Sequence, residues 1–197
     1  MHLLPGALLL RVRQVTCIVG VVHGKDVYVG GDSAGTAGYQ VRVRTDTKVF
    51  SLNPRPAERW LLGYCGSFRV GQALRFGFTV PERPKGMDLY EFMCTKFVDA
   101  VRSRLRDAGT RRKKDDEESV YASILAAHAG KLYCIESDFQ VAEFQDGYTA
   151  IGSGEELALG ALWVSAGRRP EYRIRKALEA AAYWNAAVCE PFTVKKL

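Results

Sequence analysis

From Thr16 onward, short runs of β-branched and other apolar residues separated by polar turns give the chain the pattern of strands. Cys17-Ile18-Val19-Gly20-Val21-Val22, a polar turn at His23-Gly24-Lys25-Asp26 and Val27-Tyr28-Val29-Gly30-Gly31-Asp32 predict a β-hairpin. Val41 to Arg44 and Thr47 to Phe50 alternate as short strands, the second with Lys48 pointing opposite to its neighbours. Arg59 to Cys65 is a further apolar run. Beyond Gly66-Ser67 the spacing becomes helical over Phe68 to Phe76. After a linker, Pro81 to Gly86, Asp88 opens an amphipathic helix in which Leu89, Phe92, Met93, Phe97, Val101 and Leu105 share a face, with Gly109 as its stop.

The basic run Arg111-Arg112-Lys113-Lys114 is followed at once by Asp115-Asp116-Glu117-Glu118, a block that neutralises itself and reads as a solvated loop. Val120 to Ala127, Lys131 to Glu136, Phe139 to Phe144 and Tyr148 to Ile151 then predict a second meander of short strands. Ser153-Gly154-Glu155-Glu156 reads as a capping box opening a helix to about Val164. Gly167 ends that helix, Pro170 opens an Ala-rich one through Trp184, and Phe192 to Val194 is a last strand. Strands, two helices, strands, two helices is an order without βαβ alternation. It predicts one α+β domain: two antiparallel sheets packed face to face and flanked by helices, four layers in all.

Composition narrows the function classes. The 197 residues are 47% hydrophobic and 25% charged, ordinary values for a globular chain. The net charge of +6 raises nucleic acid as a partner, but no stripe of Lys and Arg interleaved with aromatics occurs, and nucleic-acid binding is not expected. Cys17, Cys65, Cys94, Cys134 and Cys189 are scattered without a Cys-x-x-Cys pair, which argues for reduced thiols and against a structural zinc site. The apolar stretch Leu3 to Leu10 is broken by Pro5-Gly6 and is too short to span a bilayer. It also lacks the basic start and small-residue cleavage site of an export signal, so the expectation is a cytoplasmic protein with no membrane partner.

Gly31-Asp32-Ser33-Ala34-Gly35 matches the G-x-S-x-G nucleophile elbow of α/β hydrolases. Its context refuses that chemistry. About thirty residues precede Ser33, the residues after it are polar and strand-like, and the last histidine, His128, comes too early to complete a triad. His2, His23 and His128 read as a terminus, a turn and a strand residue.

A different constellation starts at Thr16. Asp32 lies sixteen residues on, Lys48 thirty-two residues on, Gly66 stands at a strand-to-helix junction, and Ser153 lies in Ile151-Gly152-Ser153-Gly154. In this the sequence resembles the proteasome β-subunit and bacterial HslV peptidase family of N-terminal-nucleophile (Ntn) hydrolases, and among them short HslV-like proteins of actinobacteria and phages. The resemblance runs from about Thr16 to the C-terminus. It implies a four-layer αββα sandwich over residues 16–197, with residues 1–15 as an N-terminal extension: a propeptide, or residues placed before the true start.

The resemblance also implies an activity, that of a threonine endopeptidase acting on unfolded polypeptides inside a homo-oligomeric ring. Thr16, Asp32, Lys48 and Ser153 would be its catalytic residues and Gly66 its oxyanion donor. Gly35, Asp46, Tyr64 and Phe68 would line a shallow substrate pocket. No cofactor or metal is implied. The chain has no G-x-x-x-x-G-K-[ST] motif, so the implied ATP-dependent unfoldase, an AAA+ ring, would act in trans.

The residue types suit that chemistry. A threonine hydroxyl is a poor nucleophile until a base takes its proton, and an α-amino group, with an ordinary pKa of about 7.7 to 8.0, can do so near neutrality. A charged Lys48 would lower the pKa of that hydroxyl, and Asp32 would hold Lys48 in place. Each residue also has a plain structural reading: Thr16 a strand residue, Asp32 a turn former, Lys48 a solvated strand face, Gly66 a helix-entry glycine, Ser153 an N-cap. Two departures from the proteasome pattern stand out: Val15, where a propeptide would place a Gly before the threonine, and the pair Asn185 and Val188, where an Asp and a Ser would support the Thr16 amine. That pair favours an inactive ring subunit as the alternative. A small-molecule amidase using Thr16 or Cys17 is another.

Overall fold

The hairpin expected at the start of the pattern lies at the centre of one sheet. In the computed structural model, which describes residues 15–37, 40–55, 58–114 and 116–197, β1 (Ile18–His23) pairs antiparallel with β2 (Asp26–Gly31). The short ribbon of β3 (Ala34–Ala37) and β4 (Gln40–Val43) follows. Next come β5 (Val49–Arg55) and β6 (Glu58–Gly66), then α1 (Phe68–Gly77). A long helix is divided into α2 (Leu89–Phe92), a π turn (Met93–Phe97) and α3 (Val98–Asp107). The second half consists of β7 (Arg111–Lys114), β8 (Glu117–Val120), β9 (Ala122–His128), β10 (Lys131–Ile135), β11 (Val141–Glu143) and β12 (Tyr148–Ile151), then α4 (Glu155–Val164), α5 (Pro170–Trp184) and β13 (Thr193–Lys196).

Two antiparallel sheets result, one in the order β12-β1-β2-β13 and the other in the order β11-β10-β9-β6-β5. Strand alternation sorts the core into three apolar layers. Ile18, Val27, Val29, Val49, Leu61, Leu125, Leu132 and Cys134 meet between the sheets. Their neighbours Cys17, Val19, Val21, Tyr28 and Ala150 face the other way, against Leu162, Ile174 and Leu178 of α4 and α5. Trp60, Leu62, Tyr64, Ile124 and Tyr133 face outward from the second sheet onto α1, α2 and α3. Period-two strands with both faces apolar need a cover on each side, and the helix pairs supply it. The architecture is the expected αββα sandwich.

Three expectations are corrected or unaddressed. The charged block is a hairpin, not a loop: the β7–β8 register sets Lys113 opposite Glu118 and Lys114 opposite Glu117. Arg111 and Arg102 both pair with Glu118, at 2.9 and 2.8 Å, so opposite charges meet across and beside the ribbon. The second meander ends at β11, because β12 crosses to the first sheet and pairs with β1, Ile18 opposite Ile151. The expected extension, residues 1–15, and His2 with it, lie outside the described residues except for Val15.

Candidate active site

Three loop-to-strand junctions converge at one end of the sandwich. Thr16 lies two residues before β1, Asp32 follows the last residue of β2, and Lys48 precedes β5. The hairpin register joins the first two, because Ile18 opposes Gly31 and the Asp32 N–H donates to the Cys17 carbonyl at 3.2 Å. Lys48 is tied to the second sheet through the Tyr64 N–H, which donates to its carbonyl at 3.2 Å.

Lys48 Nζ donates to Thr16 Oγ1 at 2.5 Å and to Asp32 Oδ1 at 2.8 Å. Asp32 is fixed in turn by backbone donors, Cys17 N–H on Oδ1 at 3.0 Å and Ala34 N–H on Oδ2 at 2.9 Å. All three residues are 2% exposed. Burial pushes the Lys48 pKa below its ordinary value and the Asp32 carboxylate opposes that fall. An ammonium is therefore held against a threonine hydroxyl in a water-poor site.

Ser153 completes the cluster from the other half of the chain. The Thr16 N–H donates to Ser153 Oγ at 3.3 Å, and Ser153 Oγ lies 3.4 Å from the Thr16 carbonyl oxygen. This corrects the capping-box expectation: Gly154 occupies the N-cap of α4 without a side-chain cap, and the serine hydroxyl faces Thr16. Gly152 permits the approach. Its φ is +100°, and a Cβ there would lie 2.4 Å from the Thr16 carbonyl oxygen.

Asn185, expected as a departure that weakens support of the site, contacts the Ser153 turn. Its side-chain amide donates to the Ser153 carbonyl at 2.8 Å while its Oδ1 accepts from Ala187 N–H at 2.9 Å, so the end of α5 braces the Ser153 turn. Val188 is buried in the apolar layer beneath α5. Gly66 ends β6 at φ +89°, directly before Ser67 and α1, and a Cβ there would meet the Tyr121 carbonyl oxygen at 2.4 Å. Cys17 faces the α4–α5 layer, and burial pushes its thiol far above the ordinary range, so it is no competitor to Thr16. The elbow serine is likewise excluded: Ser33 donates to the Pro191 carbonyl and is followed by β3, not a helix.

The expected pocket residues adjoin one another, with an addition the sequence did not reveal. Arg44 forms a bidentate pair with Asp46, at 2.6 and 2.7 Å, and its guanidinium carbon lies 4.0 Å from the centroid of the Phe68 ring. A Cβ at Gly35 would meet Arg44 Cδ at 2.7 Å, so the arginine packs directly on that glycine. Tyr64 lies beneath, edge-on to Phe68 at 6.1 Å and only 3% exposed. Phe68 links the group to the cluster, its centroid 5.8 Å from Lys48 Nζ.

No protein-family model and no curated protein sequence matches this chain. Solved structures do. Thiobacillus denitrificans BPH in complex with epoxomicin superposes with a TM-score of 0.75 at 18% identity, covering 92% of this chain and 98% of that one. The fold is that of the proteasome-like Ntn hydrolases. Eukaryotic HslV from Trypanosoma brucei shares it, with a TM-score of 0.64 at 23% identity, over 92% of this chain and 99% of that one. So does Anbu from Pseudomonas aeruginosa, solved as a helical assembly, with a TM-score of 0.64 at 17% identity over 92% and 81%. Within this Ntn-hydrolase fold, no helix among the described residues is long and apolar enough to cross a membrane.

Proposed function

We propose that the protein is a threonine-type endopeptidase in which Thr16 becomes the N-terminal residue. The observation that carries this reading is the 2.5 Å contact between Lys48 Nζ and Thr16 Oγ1, backed by Asp32 at 2.8 Å. Once residues 1–15 are absent, the Thr16 nitrogen is a primary amine. Thr16 Oγ1 attacks the scissile carbonyl and its proton passes to that amine, while the Lys48 ammonium stabilises the alkoxide character that develops. The Gly66 N–H stabilises the tetrahedral oxyanion, an interaction whose loss costs about 3 kcal/mol in comparable sites. The protonated amine then gives its proton to the departing amino group, and water hydrolyses the Thr16 ester by the same route in reverse. Ser153 orients the amine.

Backbone strain supports removal of the extension. Thr16 has a φ of +144°, a value that β-branched residues rarely adopt and that costs on the order of 1–3 kcal/mol. An N-terminal residue has no preceding peptide to define φ, so that cost vanishes in the mature chain. Either autolytic removal of a propeptide or a start placed just before Thr16 produces this terminus.

In this reading the substrates are unfolded polypeptides, admitted to a cytoplasmic homo-oligomeric ring by an AAA+ unfoldase. The assembly of Anbu supports self-association by analogy. An inactive ring subunit is the second reading, favoured by Val188 at a position where a polar support would stand. One experiment separates them. Intact mass spectrometry of the protein from its native source should give the mass of residues 16–197, and peptide hydrolysis should disappear in Thr16→Ala with the assembled state unchanged. A retained extension on an assembled, inert protein supports the second reading.

A further inference from the structure

The serine of Gly31-Asp32-Ser33-Ala34-Gly35 is not a nucleophile, yet it directly follows Asp32 and every polar group it carries has a partner distant in the chain. Its N–H donates to the Cys189 carbonyl at 3.0 Å, its hydroxyl donates to the Pro191 carbonyl, and its own carbonyl accepts from the Arg44 N–H at 3.2 Å. Three hydrogen bonds on one half-buried residue tie the Asp32 turn to the segment 185–192 between α5 and β13, and to the residue that follows β4.

That segment is a strap fixed along its length. At its start Asn185 donates to the Ser153 carbonyl at 2.8 Å, and a turn is closed by the Val188 N–H on the Asn185 carbonyl at 3.0 Å and the Ala187 N–H on Asn185 Oδ1 at 2.9 Å. Val188 anchors the middle, buried in the apolar layer beneath α5. Farther on, the Cys189 and Pro191 carbonyls receive Ser33. The contacts close a circuit about Thr16. Its nitrogen meets Ser153, Ser153 meets Asn185, and the strap runs on to Ser33 and its neighbour Asp32. Asp32 meets Lys48, and Lys48 returns to the Thr16 hydroxyl.

We propose that Ser33 is a positioning residue: by fastening the Asp32 turn to the strap, it sets the Asp32–Lys48 pair against the Thr16 hydroxyl in register with Ser153 on the Thr16 nitrogen. The Asp32 carboxylate takes its direction from the Cys17 and Ala34 N–H groups. Ala34 follows Ser33 directly, so one of those two donors moves with the turn that Ser33 anchors. Ser33 acts through Asp32 and touches no reacting atom. The inference rests on Thr16 as the nucleophile of a peptidase.

Ser33→Ala deletes the hydroxyl contact and keeps the backbone ones. The full chain is used, with rates expressed per chain that has reached the mass of residues 16–197. The kcat for a fluorogenic peptide should fall ~10- to 100-fold with KM unchanged, the scale of a small misplacement of reacting groups. Ser33→Thr, which retains a hydroxyl, should recover most of that loss. Asn185→Ala opens the same circuit at the other end of the strap. The double variant should therefore be no slower than the slower single variant, because residues that act as one unit are not additive. Wild-type kcat in Ser33→Ala, a loss confined to KM, a threonine variant as slow as the alanine one, or reductions that multiply in the double variant each overturn the proposal and leave the peptidase reading standing. A wild type of the 16–197 mass that hydrolyses no peptide removes the peptidase reading, and this role of Ser33 with it.

Discussion

Lys48 and Asp32 form an ion pair of 2.8 Å in which the two side chains are 2% and 0% exposed. Such a pair is barely favourable as a whole, because desolvation offsets attraction, but losing one member strands a buried charge at about 3–5 kcal/mol. Asp32→Asn is therefore expected to lower unfolding stability by that order. Asp32→Asn combined with Lys48→Met should recover much of the loss. Urea denaturation of the three proteins checks it, and equal stability of the single and double variants would contradict the coupling.

The Lys48 shift has a pH signature. Burial lowers its pKa in the folded state below the ordinary 10.5, so between the lowered value and 10.5 the unfolded chain binds more protons than the folded one. Stability contributed by this group therefore rises with pH through that window and is least favourable below it. Wild type should gain on Lys48→Met as pH climbs toward 10.5. Denaturation midpoints measured for both proteins across that range should diverge. Parallel curves would show that the lysine titrates normally.

Gly66→Ala should be costly twice over. A residue other than glycine at φ +89° loses about 1–2 kcal/mol, and the new methyl would lie 2.4 Å from the Tyr121 carbonyl oxygen, a backbone atom that cannot rotate away. A stability loss beyond the conformational cost alone, with hydrolysis reduced at least tenfold, is expected from denaturation and peptide assays.

Asn185→Ala removes the 2.8 Å brace on the Ser153 carbonyl. The stability cost should be about 1 kcal/mol, the value of one hydrogen bond. If Ser153 orients the Thr16 amine, kcat should fall while KM stays constant. A change confined to KM would place Asn185 in substrate binding instead.

Arg44→Ala would clear the guanidinium from the face of Phe68 and release Asp46. Fluorogenic peptides with large aromatic side chains at the cleavage site should then gain rate relative to those with small ones. An unchanged ratio would mean that the Arg44–Asp46 pair does not restrict the pocket.

Much of the fold was legible because apolar runs and helical periodicities record burial directly: Cys17, Ile18 and Val19 are apolar in succession, as a strand covered on both faces requires, and the structure buries them by turns against the α5 layer and between the sheets. Partners were less legible. Nothing in Tyr148-Thr149-Ala150-Ile151 distinguishes a fourth meander strand from one that crosses to β1, since both bury alternate residues. Ser153 followed by Glu156 fits a capping box on local pattern, yet its hydroxyl has a tertiary partner 137 residues away in the chain.

By itself the sequence determined the order of the main elements and the four layers, because periodicity along strands and helices is a local property, whereas the grouping of Thr16, Asp32, Lys48 and Ser153 came only with the family resemblance. Only the tertiary structure decided that Lys48 lies within 2.5 Å of the Thr16 hydroxyl, that Asn185 braces Ser153, and that Arg44 covers Phe68. Those contacts join residues distant in the chain through side-chain directions, and a side chain's direction is set by what packs around it.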